Sequence, residues 1–373
     1  MITYKRYFNR EFFNPPDSKE AGLKGLEGYE HAWFGSVRST LPELFRMMKI
    51  EKGDIVLLPA IAPHGIVLPC RKNRLKILFY HLDNSFNPDT EHIRLLLKET
   101  NTKALFLIHF FGINRDFADI AQLAKETGAV VFEDCAHTLF DDFRDIPSGK
   151  TGDIALFSLN KILPVPDGAL FISNSKDISL KEIATARSLY NTIAVRAGHL
   201  HLLLRTFTAY HQRSVPLRKL LTIAAKLCYA LYYFALCRTR RPSALSARTE
   251  LLLKKLNIPK IIKLRMANAE TIAGVLPGGK EEILNNGQIL SGIPVTGADA
   301  QSQKRRLAEH KIYTMTCNRR WWFVAPSLRE EFKNEYRLLN NHLLIPVNEN
   351  IGSVQLRYLA DKVNKIVGNA DTD

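Results

Sequence analysis

The sequence predicts an α/β fold, a mostly parallel sheet with helices on both faces, followed by a smaller C-terminal α+β domain. Between Ile50 and Asn174, short apolar runs alternate with amphipathic stretches. The runs show little polar alternation, as expected of strands covered on both faces. At 373 residues, the chain is long enough for two domains, or for one large domain with an appendage.

The apolar runs, in order, are Ile55–Pro59, Ile77–Tyr80, Ala104–His109, Ala129–Asp134, Ile154–Ser158 and Ala169–Ile172. Thr40–Lys49 reads as an amphipathic helix. Asp89–Glu99 opens Asp-Thr-Glu and sets Ile93, Leu96 and Leu97 on one face. Asp116–Thr127 does the same with Phe117, Ile120, Leu123 and Ala124, then stops at Gly128, a residue suited to a left-handed helix end. Strand and helix in alternation mean a parallel sheet. Ligands of such sheets sit at the carboxyl ends of the strands.

Beyond Lys176 the pattern turns helical up to about Val275, with Leu264–Leu276 as a long connector. Short strands return at Ile289–Val295, Ile312–Met315 and His342–Val347, with helices at Ala300–His310 and Val354–Val367. The expected organisation is a large α/β domain over 1–195, a basic helical insertion over 196–263, and a connector helix with the small domain over 264–373.

Composition narrows the class. With 46% hydrophobic and 24% charged residues, the chain is neither mainly disordered nor collagen-like. Its five cysteines form no CxxC pair, which argues against a disulfide scaffold or a zinc ribbon and fits a reducing compartment. The first residues show no signal-peptide pattern. The expected location is cytoplasmic.

The net charge of +15 is local. Residues 196–265 hold 15 Lys or Arg and one acid, Glu250, a net of +14; the remaining 37 bases and 36 acids give +1. Such a field attracts anions: phosphates, nucleotides or acidic lipid. Nucleic acid is not expected, since no binding motif accompanies the charge.

Several familiar motifs fail. Gly149-Lys150-Thr151 mimics the end of a Walker A loop, but Arg144 stands where its first glycine should be; Gly274…Gly279-Lys280 is followed by Glu281 instead of Ser or Thr. Gly22, Gly25 and Gly28 follow no strand. His199 and His201 have no further ligands nearby, so no metal site is expected.

What remains lies at strand ends. Glu133-Asp134 closes one apolar run, so one carboxylate should face the crevice, and Lys161 follows another run. Phe34-Gly-Ser-Val-Arg-Ser-Thr-Leu41 places small and hydroxylic residues ahead of a helix, a seat for phosphate. A phosphate seat, a carboxylate and a lysine are the parts of a pyridoxal phosphate (PLP) site: the amine binds the cofactor covalently and the acid keeps the pyridine nitrogen protonated.

In this order the segments resemble the DegT/StrS-type PLP-dependent sugar aminotransferases of fold type I. Phe34–Leu41 is similar to that family's phosphate loop, and Lys52-Gly-Asp-Ile-Val-Leu-Leu-Pro-Ala60 to its "pGDeVllPa" strand. Leu107–Gly112 resembles "vHlfG", Val131–His137 "iEDaAq", Gly152–Lys161 "GdiavFSfxK", and Leu163–Ala169 "LPvPDGg". His342–Asn348 and the helix after it resemble the family's closing strand and last helix.

The resemblance implies Lys161 as the catalytic, cofactor-bearing lysine and Asp134 as partner of the pyridinium nitrogen. It sets His137, where Gln is usual, beside the ring oxygen. Ser39 and Ser158 would hold the phosphate, with Arg38 where many members have Thr. It further implies glutamate as amino donor, a nucleotide-linked keto-sugar as acceptor and a homodimer. Two departures stand out: Ile61 occupies the place of a ring-stacking aromatic, and the basic region replaces the segment through which a partner chain completes the site. A degenerate member acting as scaffold or regulator is the alternative. A related PLP dehydratase would carry His in place of Lys161.

Within the basic region, Leu220–Cys237 carries a single charge, Lys226, between Arg218-Lys219 and Arg238…Arg240-Arg241. Three readings are open for 217–241: a helix buried against the enzyme or its dimer mate, a helix lying on an anionic membrane, or a span.

Overall fold

The computed structural model describes residues 2–3, 7–13, 25–140, 148–210, 215–276, 288–317 and 319–368. Gly22, Arg144 and the Gly279-Lys280-Glu281 run lie outside these residues.

The expected sheet is present and has seven strands. Its strands are β2 (Glu30–Phe34), β3 (Ile55–Pro59), β4 (Lys76–Tyr80), β5 (Thr102–Ile108), β6 (Val130–Asp134), β7 (Ile154–Ser158) and β8 (Ala169–Ser173); β1 (Ile2–Thr3) lies elsewhere. They are ordered β2-β8-β7-β6-β5-β3-β4. Strands β3 to β7 run parallel, while β8 and β2 pair antiparallel at one edge. Burial explains the apolar runs. Ala104 to Ile108 of β5 are all buried, and Phe106 stacks on Phe132 of β6 at 4.5 Å. Each large side chain so buried contributes about 1.5–3 kcal/mol.

Helices α1 (Val37–Met47), α2 (His64–Lys72), α3 (Thr90–Glu99) and α4 (Ala118–Glu126) connect these strands. Helix α1 begins three residues before the expected Thr40, because the Ser36 side chain caps it by accepting from Ser39 N. Asp89 caps α3 in the same way, accepting from His92 N. After α4 the chain turns at Gly128 with φ of +74°. Helix α2 was not anticipated: Pro63 and Pro69 interrupt its pattern, although Pro63 stands at the N-cap and only Pro69 lies inside.

Lys161 lies on the short α5 (Leu159–Ile162). The helical region then comprises α6 (Leu189–Tyr210), α7 (Val215–Arg238), α8 (Ala247–Lys255) and α9 (Ile258–Ala273). Helices α6 and α7 pack as an antiparallel hairpin: His201 Nδ1 meets Ala225 O at 2.7 Å, and Gly198 leaves room for Tyr232. The connector expected from Leu264 begins earlier, at Ile258, where Asn257 caps the first turn.

The C-terminal part holds β9 (Ile293–Thr296), α10 (Ala300–Glu309), β10 (Ile312–Tyr313), α11 (Lys333–Asn340), β11 (His342–Ile345) and α12 (Ser353–Val363). Strands β9 and β11 pair antiparallel, and β1 joins β10 in parallel. Residues 289–291, expected as strand, instead meet the loop after β5, where Ser291 N donates to Phe111 O at 2.8 Å.

Arg265 ties the two parts together. It is 2% exposed and forms an ion pair with the buried Glu349 at 2.7 Å. It also donates to Leu290 O and to Ile162 O, at 3.0 and 3.2 Å. Arg265→Ala leaves the buried carboxylate unpaired, and breaking such a pair typically costs about 3–5 kcal/mol. A lowered unfolding midpoint in thermal or denaturant melts is the expected result; an unchanged midpoint would remove Arg265 as the anchor.

Candidate active site

Asp134 closes β6 and Lys161 follows the carboxyl end of the neighbouring parallel strand β7. Adjacent residues on a strand point to opposite faces, so Glu133 and Asp134 part company. Glu133 turns into a nest of donors: Gly149 N at 2.6 Å, Thr151 N and Gly152 N at 2.9 Å, and His109 Nε2 at 2.8 Å. Burial alone would raise its carboxyl, but His109 and the Gly152 and Gly149 amides outweigh it and hold the group below the ordinary value. The sequence that mimics a Walker loop is thereby spent on a carboxylate.

Asp134 is the carboxylate left for the crevice. Burial raises it above the ordinary value, against the opposing charge of Lys161 and a hydrogen bond from Ala136 N at 2.8 Å. The same Lys161 charge acts on His137 and on the buried Cys317. Lys161, Asp134 and His137 are therefore one cluster.

His137 is held in a defined tautomer. Ser291 Oγ donates to Phe111 O at 3.1 Å, which leaves it to accept from His137 Nδ1–H, also at 3.1 Å. Burial first, then Lys161, pushes the imidazole well below its usual value, so it is neutral and Nε2 carries a lone pair. That Nε2 is buried without a partner. Gly112, at φ of +91°, permits this packing: a Cβ there would lie 2.5 Å from His137 O. The Trp321 ring stands edge-on, 5.7 Å from His137.

The Phe34–Leu41 loop is stitched to the lysine turn through Gly168, whose N–H donates to Gly35 O and whose carbonyl accepts from Leu159 N. Ser39 Oγ lies 2.8 Å from Ser36 Oγ at the α1 N-terminus. Ser158 Oγ donates to Asn160 Oδ1, and Asn160 donates in turn to Tyr232 OH of α7. Arg38 Nη1 meets Cys237 Sγ of α7 at 2.9 Å, while its buried Nε has no partner. Arg38 and Arg320 each stand 5.1 Å from the Tyr233 ring centre. Tyr233 OH in turn meets His64 Nδ1 at 2.7 Å. Burial, then Arg38, Arg320, Lys72 and Arg71, lower His64 to about 4. Among the described residues no carboxylate pairs with Arg38, Arg71 or Lys72. This end of the site suits an anion.

Residues 26–190 match the DegT/DnrJ/EryC1/StrS aminotransferase family. Over that segment the chain is similar to this family. Curated relatives include GDP-perosamine synthase of Caulobacter vibrioides, 30% identical over 139 residues, or 36% of this chain and 37% of the relative. Another is the UDP-4-amino-4,6-dideoxy-N-acetyl-beta-L-altrosamine transaminase of Campylobacter jejuni, 26% identical over 110 residues, 28% of this chain and 29% of that one. The matches thus span only about a third of these relatives' length, 37% of the first and 29% of the second. In solved structures the fold extends further. A DegT/DnrJ/EryC1/StrS aminotransferase from Brucella abortus covers 96% of this chain and 92% of its own, at 15% identity and a TM-score of 0.57. A Streptococcus pneumoniae protein in its PLP form covers 96% and 93%, at 12% identity and a TM-score of 0.62.

In this part of the chain the expected Lys161, Asp134 and His137 come together, and Arg38 and Ser39 lie at one helix N-terminus. Ile61 is fully buried and bridges to Trp322. Sequence reasoning missed Ser291, Cys317, Arg320, Trp321, Tyr232 and Tyr233. The one signal available was the density of aromatics and arginines at Arg319–Phe323.

The cationic end makes a prediction. In the ligand-free chain the His64 ring titrates near pH 4, and an anion seated beside Arg38 should raise that value. Ring-proton NMR against pH, with and without inorganic phosphate, reads this directly. A titration indifferent to phosphate would place the anion elsewhere.

Proposed function

We propose that the chain is a PLP-dependent aminotransferase that moves an amino group from glutamate to the keto group of a nucleotide-linked sugar, in polysaccharide or natural-product biosynthesis. One observation carries it: Lys161 acts electrostatically on both Asp134 and His137, and the buried Nε2 of His137 has no partner. The residues fit the cofactor. An unpartnered acceptor matches the ring hydroxyl of PLP, a buried acid beside a cation matches its pyridine nitrogen, and the α1 N-terminus with Arg38 matches its phosphate.

When bound, PLP supplies an electron sink next to the substrate carbon. The protein supplies the rest. Lys161 would hold the cofactor through Nζ, and its amine would move a proton to and from the substrate carbon. Asp134 would sit opposite the ring nitrogen and keep it protonated; its burial works against its own charge, and the opposing charge of Lys161 and the hydrogen bond from Ala136 N work for it. His137 accepts from the ring hydroxyl through Nε2. Ser39, Ser158 and Arg38 hold the phosphate, and Ile61 covers a ring face by apolar contact. The relatives' printed names, with GDP- and UDP-linked sugars, support the acceptor class.

Lys161→Ala should fold, lose the covalent link that borohydride reduction fixes in the wild type, and lose amine transfer across a nucleotide keto-sugar panel. If the wild-type chain with PLP shows no borohydride-fixed label and no transfer, the scaffold reading replaces this one. Asp134→Asn should slow turnover by orders of magnitude while weakening PLP binding much less, because a neutral amide cannot hold the ring proton. Unchanged turnover in that variant would falsify the role.

A further inference from the structure

Helix α7 is built inside out. Its buried residues are small, Ala225 and Ala235. Its large apolar residues face away: Leu220, Ile223, Leu227, Leu231 and Phe234 recur every three or four positions, so they form one stripe. Leu227 is 66% exposed and Leu220 64%. On α6, Leu200 and Phe207, seven residues apart, are about half exposed as well. The leucines are thus not buried against the enzyme, which removes that sequence-based reading for the single chain.

We propose that this face of the α6–α7 hairpin rests on an anionic lipid bilayer, with α7 lying along the surface. Charge selects the occupant. Arg218 and Lys219 stand at one end of the stripe and Arg238, Arg240 and Arg241 at the other, in a segment with 15 bases and one acid. Basic ends around an apolar stripe match headgroup phosphates around acyl chains. Phe234 and Arg238 are already paired, the guanidinium 4.6 Å from the ring centre, and Lys226, beside the stripe, is long enough to reach the headgroups. A second copy is the competing occupant. A symmetric stripe-on-stripe contact would bring two such basic segments together, with Glu250 as the sole acid each could offer.

The helix lies on the surface rather than crossing. By length and composition α7 could span a membrane, but its inner side is engaged with the large domain. Tyr232 OH accepts from Asn160, Tyr233 OH meets His64, Cys237 O accepts from Lys72 Nζ at 2.8 Å, and Cys237 Sγ meets Arg38. Insertion across a bilayer would break all four. The proposal rests on the hairpin alone and stands apart from the reaction assigned to Lys161.

The test is co-sedimentation of the full chain with phosphatidylcholine vesicles, with or without phosphatidylglycerol, at low and high salt. Binding only to the acidic vesicles, reduced about tenfold or more by high salt, is expected. Arg240→Gln and Arg241→Gln should each lower the partition about fivefold. Leu220→Glu/Leu227→Glu/Leu231→Glu should abolish binding while keeping the wild-type circular dichroism. Should that variant misfold, Leu227→Trp serves instead: its fluorescence should shift to the blue with acidic vesicles and be quenched by brominated acyl chains. A chain that stays in the supernatant with acidic vesicles at low salt, or a Leu227→Trp emission indifferent to them, overturns the proposal. A concentration-dependent dimer lost in the triple variant, without vesicle binding in the wild type, assigns the face to a second copy.

Discussion

The buried guanidinium of Arg265 is the constraint on which the site's geometry depends. A charge with five donors, removed from water, has to be met by acceptors wherever they come from. Here they come from three distant segments: Ile162, next to Lys161; Leu290, next to the Ser291 that orients His137; and Glu349 of the C-terminal part. None can drift without exposing the charge to an unmatched environment. A second tie works on the same turn. The buried Asp167 accepts from Ser246 Oγ, Ser246 N and Thr249 Oγ1, which fastens α8 to the loop after Lys161. The lysine is held by polar anchors on both flanks.

Environment also divides labour between two neighbouring carboxylates. Glu133 and Asp134 are both buried at the end of one strand, yet three backbone amides, His109 and the Cys135 thiol donate to the first and one backbone amide serves the second. A carboxylate saturated with donors is a structural group, since every lone pair is committed. One with spare acceptor capacity and a lysine nearby is available to a ligand. The alternation of a β-strand makes this division automatic once one face is filled.

Much of this was legible because burial on both faces writes itself as unbroken apolar runs. Strands β3 to β8 fall within a few residues of those runs, and the order of Asp134, His137 and Lys161 along them pointed to the crevice. Strand β2 was not legible. Its Glu-His-Ala-Trp-Phe sequence sits half-buried at the sheet edge, where neither alternation nor a run develops. Helix α2 was hidden by its prolines. Ser291, Trp321 and Tyr233 were missed for another reason: each reaches the site from across the fold, and no local period encodes a contact between residues over 150 positions apart. Within 196–265, hydropathy revealed a long apolar helix but not which side of it faces the protein.

That last point has physical weight. A surface helix of a soluble domain ordinarily buries its large apolar side chains and shows its small or polar ones. Helix α7 does the reverse, and the inversion has no benefit in water, where each exposed leucine keeps its hydration cost. The inner side is specified just as firmly, by alanines that allow close packing and by hydroxyl, carbonyl and thiol groups that find named partners. The protein thus constrains the inner side, while the outer side presents an exposed apolar stripe of the kind that marks an interaction surface. Because Arg38 and Asn160 are among the inner partners, whatever presses on the outer stripe is one helix away from the cationic end of the site.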